Sequence, residues 1–412
     1  MAILSGIKNT VLLWVLLVAA CGNQPKKPEI EIAGKEPEMQ QHANKPIVVA
    51  ANRTDQYIPL LNGKKIGVVA NQTTVVFKSG DSYTHLVDSL LSLQMDVKKV
   101  FAPEHGFRGQ ADAGEKVTDG TDPKTGLPLI SLYGKNRKPS AEQLADIDVV
   151  LFDIQDVGVR FYTYIATLQL VMEACAAHGV PIIVLDRPNP NAHYVDGPTM
   201  EIEHSGFLGM TPIPLVYGMT IGEYAQMING EGWLRSETKA DLTVIPLENW
   251  THESEYHLPI RPSPNLPNDT AIYLYPSLGL FEGTNINAGR GTEFQFQRYG
   301  APFLDATQYN FTYTPQPNFG AKNPKQKGEL CYGKDLSQIP RMTEVSLMWL
   351  IDAYQNADDK KKVFNTSGFT RHAGTEKLQQ LIEAGKTEAE IKATWADDLN
   401  RFKTIRQKYL RY

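Results

Sequence analysis

The run Val149-Val-Leu-Phe152 is apolar without interruption and is followed directly by the polar segment Asp153-Ile-Gln-Asp156. An unbroken apolar run of this length is typical of a strand that is buried on both faces. Helical spacing from Tyr164 to His178 comes next, with Gly179 placed to end the helix, and a second apolar strand then covers residues 181–185. This order of strand, helix and strand favours a parallel sheet and an α/β fold.

The same pattern extends on both sides of this unit. Further strands are predicted at residues 66–70, 97–101 and 242–246, and helices at 85–91, from Ser140 onward and at 220–229. The helix at Ser140 is predicted from a capping box, Ser140-Ala-Glu-Gln143. Five short strands that alternate with helices predict a sheet covered by helices on both faces.

The alternation ends after residue 255. The segment Arg261-Pro-Ser-Pro-Asn-Leu-Pro267 is too rich in proline to form a regular element, and helices return only at 344–355 and 375–384. We therefore predict an α/β domain over residues 47–255. A second, smaller α+β domain is predicted over 256–412, and its first segments are expected to cap the cleft.

The N-terminal residues resemble an export signal. Lys8 precedes the apolar run 11–18, which is too short to span a bilayer, and Val18-Ala-Ala-Cys21 resembles the lipobox of bacterial lipoproteins. We predict a signal peptide over 1–20 and a lipidated Cys21 that begins a flexible stalk over 21–46. The alternative is a plain secretory signal with a chance cysteine. The first reading predicts an exported protein, lipid-anchored to a bacterial membrane on its periplasmic or cell-surface side.

Two cysteines remain in the chain, Cys175 and Cys331. Cys175 lies among alanines of the predicted helix, so a buried free thiol is expected there rather than a disulfide.

Composition excludes several classes of function. The chain has 412 residues and a formal net charge of -5, with no basic stripe, so no nucleic-acid partner is expected. The first strand is not followed by G-x-G-x-x-G, and neither a Walker loop nor a G-x-S-x-G elbow occurs. We therefore expect no nucleotide cofactor, and no cofactor of another kind is indicated.

Polar residues follow four of the five predicted strands. They are Asn71-Gln72, Glu104-His105, Asp153 with Asp156, and Asp186-Arg187. Parallel sheets bind ligands outside the carboxyl ends of their strands, where such side chains converge. The four clusters therefore predict one site at this edge of the sheet.

The residues of these clusters favour carboxyl chemistry. Glu104 lies in the loop Phe101-Ala-Pro-Glu-His-Gly-Phe-Arg-Gly109 and is the natural proton donor for cleavage of a glycosidic bond. His105 is expected either to move the proton or to orient a neighbour. Such cleavage usually needs a second group, for which an acetamido group of the substrate would also serve. The carboxylates considered for that role are Asp153, Asp156, Glu282 and Glu293.

Two arginines, Arg160 and Arg290, are expected either to pair with a carboxylate of the substrate or to form structural ion pairs. A metal site is the other reading of the acidic cluster. Its ligands would be Glu104, His105, Asp153, Asp156 and Asp186. No H-E-x-x-H or close Cys/His spacing supports such a site, so we expect no metal.

Several longer segments resemble the exo-β-N-acetylmuramidase family of the NamZ type, formerly a family of unknown function. They are 101–109, Phe152-Asp-Ile-Gln-Asp-Val-Gly-Val-Arg-Phe-Tyr-Thr-Tyr164, Leu185-Asp-Arg-Pro-Asn-Pro190, 262–267, Phe281-Glu-Gly-Thr-Asn285 and Gly289-Arg-Gly-Thr292. They occur in the same order from about residue 50 to the end of the chain. The resemblance implies a Rossmann-like domain beside a smaller one, with the active-site cleft between them.

The resemblance also implies an activity: release of terminal β-1,4-linked N-acetylmuramic acid from the non-reducing end of peptidoglycan fragments. It assigns Glu104 as the proposed catalytic residue, and we add His105 and Asp153 as catalytic candidates. The muramyl saccharide is expected to contact polar residues of the motifs and of the strand ends. These are Asn71, Arg108, Asp156, Arg160, Tyr162, Asp186, Arg187, Glu282, Asn285, Arg290 and Glu293. The alternatives are a non-catalytic glycan-binding lipoprotein and a metal-dependent hydrolase.

Overall fold

The computed structural model describes residues 45–80, 82–108, 119–236 and 238–412. The predicted signal peptide, Cys21 and most of the predicted stalk fall on residues 1–44, outside the described residues. Residues 45–412 form one compact unit. None of the helices within the described ranges has the length and apolarity needed to cross a membrane.

The described chain contains twelve strands in three sheets. The strands are β1 (Ile66–Ala70), β2 (Val75–Phe77), β3 (Tyr83–His85), β4 (Val97–Ala102), β5 (Gly120–Thr121), β6 (Pro128–Ser131), β7 (Val149–Asp153), β8 (Ile182–Leu185), β9 (Leu242–Ile245), β10 (Arg298–Ala301), β11 (Phe311–Tyr313) and β12 (Cys331–Asp335).

Eleven α-helices accompany the described strands. They are α1 (Thr54–Leu61), α2 (Leu86–Ser92), α3 (Ala141–Leu144), α4 (Tyr164–His178), α5 (Ile221–Gly230), α6 (Asp269–Leu278), α7 (Met348–Gln355), α8 (Thr366–Ala373), α9 (Lys377–Glu383), α10 (Glu388–Ala393) and α11 (Ala396–Arg406).

The central sheet has the order β5-β6-β4-β1-β7-β8-β9. All neighbouring pairs are parallel except β5 with β6. Counted along the chain, the six parallel strands run 3-2-1-4-5-6, the order of a Rossmann-type sheet. The predicted α/β class with a Rossmann-like parallel sheet is therefore confirmed.

The predicted strand–helix–strand unit forms for the expected reasons. Every residue of β7 and β8 is buried, because helices cover both faces of the sheet. Helix α4 ends at Gly179, which adopts the left-handed conformation with φ 66°. The capping box at Ser140 is also present, and a second one at Thr220 begins α5.

The second part of the chain contains a smaller antiparallel sheet of order β10-β12-β11 together with helices α6 to α11. This agrees with the predicted smaller α+β region. One cluster of buried apolar side chains joins the two parts and includes Phe152, Phe281 and Phe402. The predicted boundary after residue 255 stays a prediction.

The two main sheets contain five strands beyond the five that we predicted, namely β5, β6, β10, β11 and β12. Strand β6 extends the parallel sheet next to β4, although it begins with Pro128 and is largely half-exposed. The two-residue β5 pairs with β6 in an antiparallel manner. In the second part, β12 reads Cys-Tyr-Gly-Lys-Asp, with too few apolar residues to be recognised as a strand. Helix α7 also begins at Met348, four residues after the predicted start.

A buried ion pair connects the carboxyl ends of β7 and β8. The Arg187 guanidinium donates to both carboxylate oxygens of Asp153, at 2.5 and 2.7 Å, and both side chains are almost completely buried. A further Arg187 N–H donates to the backbone oxygen of Val75 at 3.0 Å, and the hydroxyl of Thr74 donates to the backbone oxygen of Asp153. These contacts fill the crevice where the strand order reverses.

Cys175 and Cys331 are both buried and are not joined to each other. Burial raises the pKa of each thiol to about 12, so both stay protonated at neutral pH. The buried free thiol predicted at Cys175 is confirmed.

Substituting Asp153 is expected to reduce stability. Asp153→Asn removes the charge but keeps the shape, and it leaves the Arg187 guanidinium buried without its counter-ion. Loss of one partner of a buried pair costs about 3–5 kcal/mol. Urea unfolding followed by circular dichroism measures the change. As a control, Asp146→Asn breaks the half-exposed pair of Asp146 with Lys99 and should cost less than about 1 kcal/mol. An Asp153→Asn protein as stable as wild type would show that the pair does not hold the sheet ends together.

Candidate active site

A cleft of about 1090 Å³ opens between the two parts of the chain. One wall comes from the loops after β4 and β6 and from the residues that lead into α4. The other wall comes from α6, the segment 279–290 and α8. The polar side chains that line it include Glu104, Tyr133, Arg137, Thr163, Glu282, Arg290 and His372.

Glu104 lies half-buried in this cleft, at the carboxyl end of β4. The hydroxyl of Thr163 donates to a carboxylate oxygen of Glu104 at 3.1 Å, and the hydroxyl of Tyr164 donates to its backbone oxygen at 3.3 Å. Burial, together with the charge and hydrogen bond of Glu104, raises the pKa of Tyr133 to about 12. Tyr133 therefore keeps its proton at neutral pH and serves as a hydrogen-bond donor to Glu104.

The backbone turns sharply just after Glu104. His105 has φ 69° and Gly106 has φ 76°, so a non-glycine residue occupies the left-handed region here. The His105 ring is buried, and its Nε2 lies 3.3 Å from the hydroxyl of Ser263 in the proline-rich segment. His105 lines a smaller cavity of about 60 Å³ that also contacts Glu104, and Tyr162 lines the same cavity. The tight turn therefore places His105 in the smaller cavity, next to Glu104.

Glu282, one of the four carboxylates considered for the second catalytic role, also lines the main cleft. An Arg290 N–H lies 3.0 Å from a Glu282 oxygen. Burial opposes the charge of Glu282, but the nearby charges of Arg290 and Lys325 outweigh it and hold its pKa below the usual range. Glu282 is therefore ionised at neutral pH.

Lys325 holds the segment that carries Glu282. Its ammonium group donates to the backbone oxygens of Phe281, Glu282 and Thr284, at 2.9, 2.9 and 2.6 Å. Gly283 lets this segment approach helix α8, because a Cβ atom there would lie 2.4 Å from the Cα of Phe369. The Glu282 carboxylate is thus fixed on a rigid wall of the cleft.

Of the predicted site residues, the structure brings Glu104, His105, Tyr162, Glu282 and Arg290 together at the two adjoining cavities. Tyr162 also donates to the backbone oxygen of Pro262 at 2.7 Å, which ties the proline-rich segment to the start of α4.

The other polar strand ends do not line these cavities. Asp153 and Arg187 pair with each other, as described above. Asn71 is buried and accepts from the backbone N–H of Thr73 at 2.8 Å. Burial raises the pKa of Asp156 and of Asp186 to about 6 each. Only one of the four polar strand ends that we expected in one site, the one with Glu104, lines the cleft.

Asp156 and Asp186 both bind groups of the chain itself. Asp156 accepts from the backbone N–H of Gly158 at 2.7 Å and from the hydroxyl of Tyr217. Asp186 accepts from the hydroxyls of Thr220 and Tyr412, each at 2.7 Å.

Arg160 is buried against backbone rather than facing the cleft. Its guanidinium donates to the carbonyl oxygens of Pro198 and Ile213, at 2.7 and 3.0 Å, and to those of His372 and Ala373, at 2.9 and 2.6 Å. The last two acceptors lie at the end of α8, where a cation is favoured. These contacts give Arg160 a structural role.

Three predicted contacts lie elsewhere on the surface. Arg108 pairs with Asp122 at 2.8 Å and lines a separate cavity. Asn285 is exposed and donates to the backbone oxygen of Lys362, and Glu293 is exposed and lines neither of the cavities next to Glu104. The roles predicted for these residues stay predictions.

The alternative of a metal site requires five residues that the described structure does not bring within ligand spacing of one another. In the described part of the chain, the group of three or more possible ligands with suitable spacing consists of Glu201, Glu203 and His204. None of the five predicted ligands belongs to it.

Sequence reasoning missed several residues of the cleft, among them Tyr133, Arg137, Thr163, Tyr275 and His372. Thr163 lies inside the segment 152–164 that resembles the family, so it could have been named from the sequence. Tyr133 and Arg137 follow the unrecognised strand β6, and His372 lies on α8, a helix that was not predicted. Tyr133, Arg137 and His372 were therefore missed because the sequence pattern does not reveal the elements that carry them.

Comparison with known proteins identifies the same two parts. The family model described as exo-beta-N-acetylmuramidase NamZ, N-terminal, matches residues 66–270, and its C-terminal counterpart matches residues 273–412. The peptidoglycan beta-N-acetylmuramidase NamZ of Bacillus subtilis (strain 168) is 38% identical over 394 residues, which cover 90% of this chain and 93% of that protein.

Two crystal structures of DUF1343 family proteins from Bacteroides fragilis NCTC 9343 have the same fold. The first has a TM-score of 0.81 and 44% identity, and covers 89% of this chain and 99% of that one. The second has a TM-score of 0.73 and 27% identity with the same coverage. Together with the match of both family models, these similarities show that the chain belongs to the exo-beta-N-acetylmuramidase NamZ family.

Proposed function

We propose that this protein is an exo-acting glycoside hydrolase. It releases terminal β-1,4-linked N-acetylmuramic acid from the non-reducing end of peptidoglycan fragments. The observation that carries the proposal is the position of Glu104. This glutamate belongs to a motif that resembles the family, and it lies in a cleft with hydroxyl donors on its carboxylate. The name of the Bacillus subtilis relative supports the same substrate.

Glu104 acts as the general acid in this proposal. It protonates the glycosidic oxygen as the bond to the anomeric carbon breaks. The hydroxyl of Thr163 fixes one carboxylate oxygen from the start of α4, and Tyr133 donates from the loop after β6. His105 acts as a positioning residue, because its ring is held by Ser263 behind the turn.

Glu282 takes the second role. Positive charge develops at the anomeric carbon as the leaving group departs, and a nearby carboxylate stabilises that charge until a water molecule has added to the carbon and lost its proton. Of the four carboxylates considered from the sequence, Glu282 is the one that lines the cleft with Glu104, and its neighbours favour the ionised form. In this mechanism Glu104 must carry a proton when the bond breaks, whereas Glu282 must be ionised.

The location of the protein is a further proposal. We infer that the chain is exported and anchored to a bacterial membrane through a lipid on Cys21, on the periplasmic or cell-surface side. The supporting observation is the order of a basic residue, a short apolar run and Val18-Ala-Ala-Cys21. Anchoring there would hold the cleft near cell-wall fragments.

Replacing the acid tests the assignment. Glu104→Gln keeps the hydrogen-bond acceptor but cannot donate the catalytic proton, so kcat on a natural muramyl disaccharide should fall by about 100-fold or more. Release of N-acetylmuramic acid is measured by chromatography. Glu329→Gln, which changes an exposed carboxylate outside the cleft, is the matched control and should keep the wild-type rate. A wild-type protein that binds muropeptides saturably but releases no sugar would instead be a glycan-binding protein.

The pH dependence tests the role of Glu282. Because the pKa of Glu282 is lowered, activity that needs its carboxylate is present above that pKa and is lost as the pH falls through it. Arg290→Met removes a charge that lowers this pKa, so the acidic limb of the kcat profile should move to higher pH. Arg341→Met, which breaks an ion pair with the exposed Glu255, should leave that limb in place. An unchanged acidic limb in Arg290→Met would remove Glu282 from the mechanism.

Cys21→Ala tests the anchor. Without the thiol no lipid is attached, so the protein should move from the membrane fraction to the soluble exported fraction. Immunoblotting of fractionated cells measures the distribution. Finding the wild-type protein in the soluble fraction would contradict the proposal.

A further inference from the structure

Arg137 differs from the other cations of the cleft. It lies in the loop after β6, and in the part of the chain that the structure describes, no side-chain or backbone oxygen accepts a hydrogen bond from it. The other two arginines that line the cleft are occupied. Arg290 pairs with Glu282 at 3.0 Å, and Arg371 donates to the hydroxyl of Ser367 at 3.0 Å within its own helix.

The two histidines of the cleft are less suited to bind an anion. Burial lowers the pKa of His372, so its ring is neutral at pH 7 and carries no charge for an anion. His204 lies 3.6 Å from Glu201 and already faces a carboxylate. On the described walls of the cleft, Arg137 is therefore the positively charged residue whose N–H groups are available to bind an anion.

The Arg137 guanidinium is held in a defined orientation. Its central carbon lies 4.2 Å from the centre of the Phe207 ring, so one planar face stacks on the aromatic ring. The N–H groups at the edge of the plane stay available. Such an edge fits two parallel hydrogen bonds to a carboxylate, which the rounder ammonium of a lysine does not reproduce.

Arg137 also lies close to the proposed acid. Its charge acts on the hydroxyl of Tyr133, and Tyr133 in turn bonds to Glu104. An anion bound by Arg137 would thus belong to the sugar whose glycosidic bond Glu104 cleaves. N-acetylmuramic acid has one such anion, the carboxylate of the lactyl ether on C3, two ring carbons from the anomeric centre.

We propose that Arg137 recognises this lactyl carboxylate and thereby selects muramyl sugars over sugars that lack it. The inference rests on the proposed function. It replaces the sequence-based expectation for Arg160, whose donors are taken up by backbone carbonyls, and for Arg290, which is paired with Glu282. Phe207 is a positioning residue in this scheme.

The test compares para-nitrophenyl N-acetylmuramic acid with its lactyl methyl ester, which lacks the negative charge and carries one additional methyl group. Wild type should prefer the acid in kcat/KM. Arg137→Met should reduce that preference by about tenfold or more, since a bond between two charged groups is lost. Arg137→Lys keeps the positive charge but not the two parallel N–H donors, so it should retain part of the preference for the acid. The fold of each variant is checked by thermal unfolding.

Arg371→Met is the matched comparison, because it removes the other exposed arginine of the cleft. The acid-over-ester ratio of Arg371→Met should equal that of wild type. An unchanged ratio in Arg137→Met, a ratio near one in wild type, or a loss of preference only in Arg371→Met would each overturn the proposal.

Binding separates this inference from the proposed function. Calorimetry with free N-acetylmuramic acid and its methyl ester uses the same proteins and needs no hydrolysis. If wild type prefers the acid and Arg137→Met does not, the inference holds even where no sugar is released, and the proposed function alone fails. If sugar is released but the binding preference survives in Arg137→Met, the inference alone fails.

Discussion

The buried pair of Arg187 with Asp153 determines where a ligand can bind in this fold. In a sheet of order 3-2-1-4-5-6, the crevice between the first and fourth strands is the usual place for a ligand. Here that crevice is filled by Asp153, Arg187 and the backbone of Val75. Separating a pair that is buried in this way is costly, so Asp153 and Arg187 occupy the crevice in the folded protein. The open cavity lies beside it instead, next to Glu104 at the end of β4, and the second part of the chain supplies the opposite wall.

The central fold was predictable because most of its strands are largely apolar, and because capping boxes begin α3 and α5 and Gly179 ends α4. The edge strand β6 and the antiparallel β12 were not, since half-exposed strands with proline, glycine or charged residues lack that pattern. The site shows the same limit. A polar residue after a buried strand was correctly placed at the carboxyl edge, but the pattern cannot distinguish Glu104, which faces a cavity, from Asp153, which faces an arginine. The distinction depends on which groups the tertiary fold places beside each carboxylate.

The two glutamates of the cleft are held in contrasting ways. Glu104 accepts hydrogen bonds from the neutral hydroxyls of Thr163 and Tyr133. Glu282 is surrounded by the cations of Arg290 and Lys325, which favour its charged form. The cations thus keep Glu282 in the charged form that its proposed role requires. The contrast comes from their neighbours, because the two side chains are chemically identical.

Arg160 joins both parts of the chain through carbonyl oxygens alone. Every peptide unit offers such an oxygen, whichever side chain it carries. The joint therefore depends on the arginine side chain, whereas its four acceptors are atoms of the backbone. One of them, His372, carries its side chain into the cleft. A substitution of His372 can thus change the lining of the cleft and still leave the carbonyl oxygen that Arg160 binds.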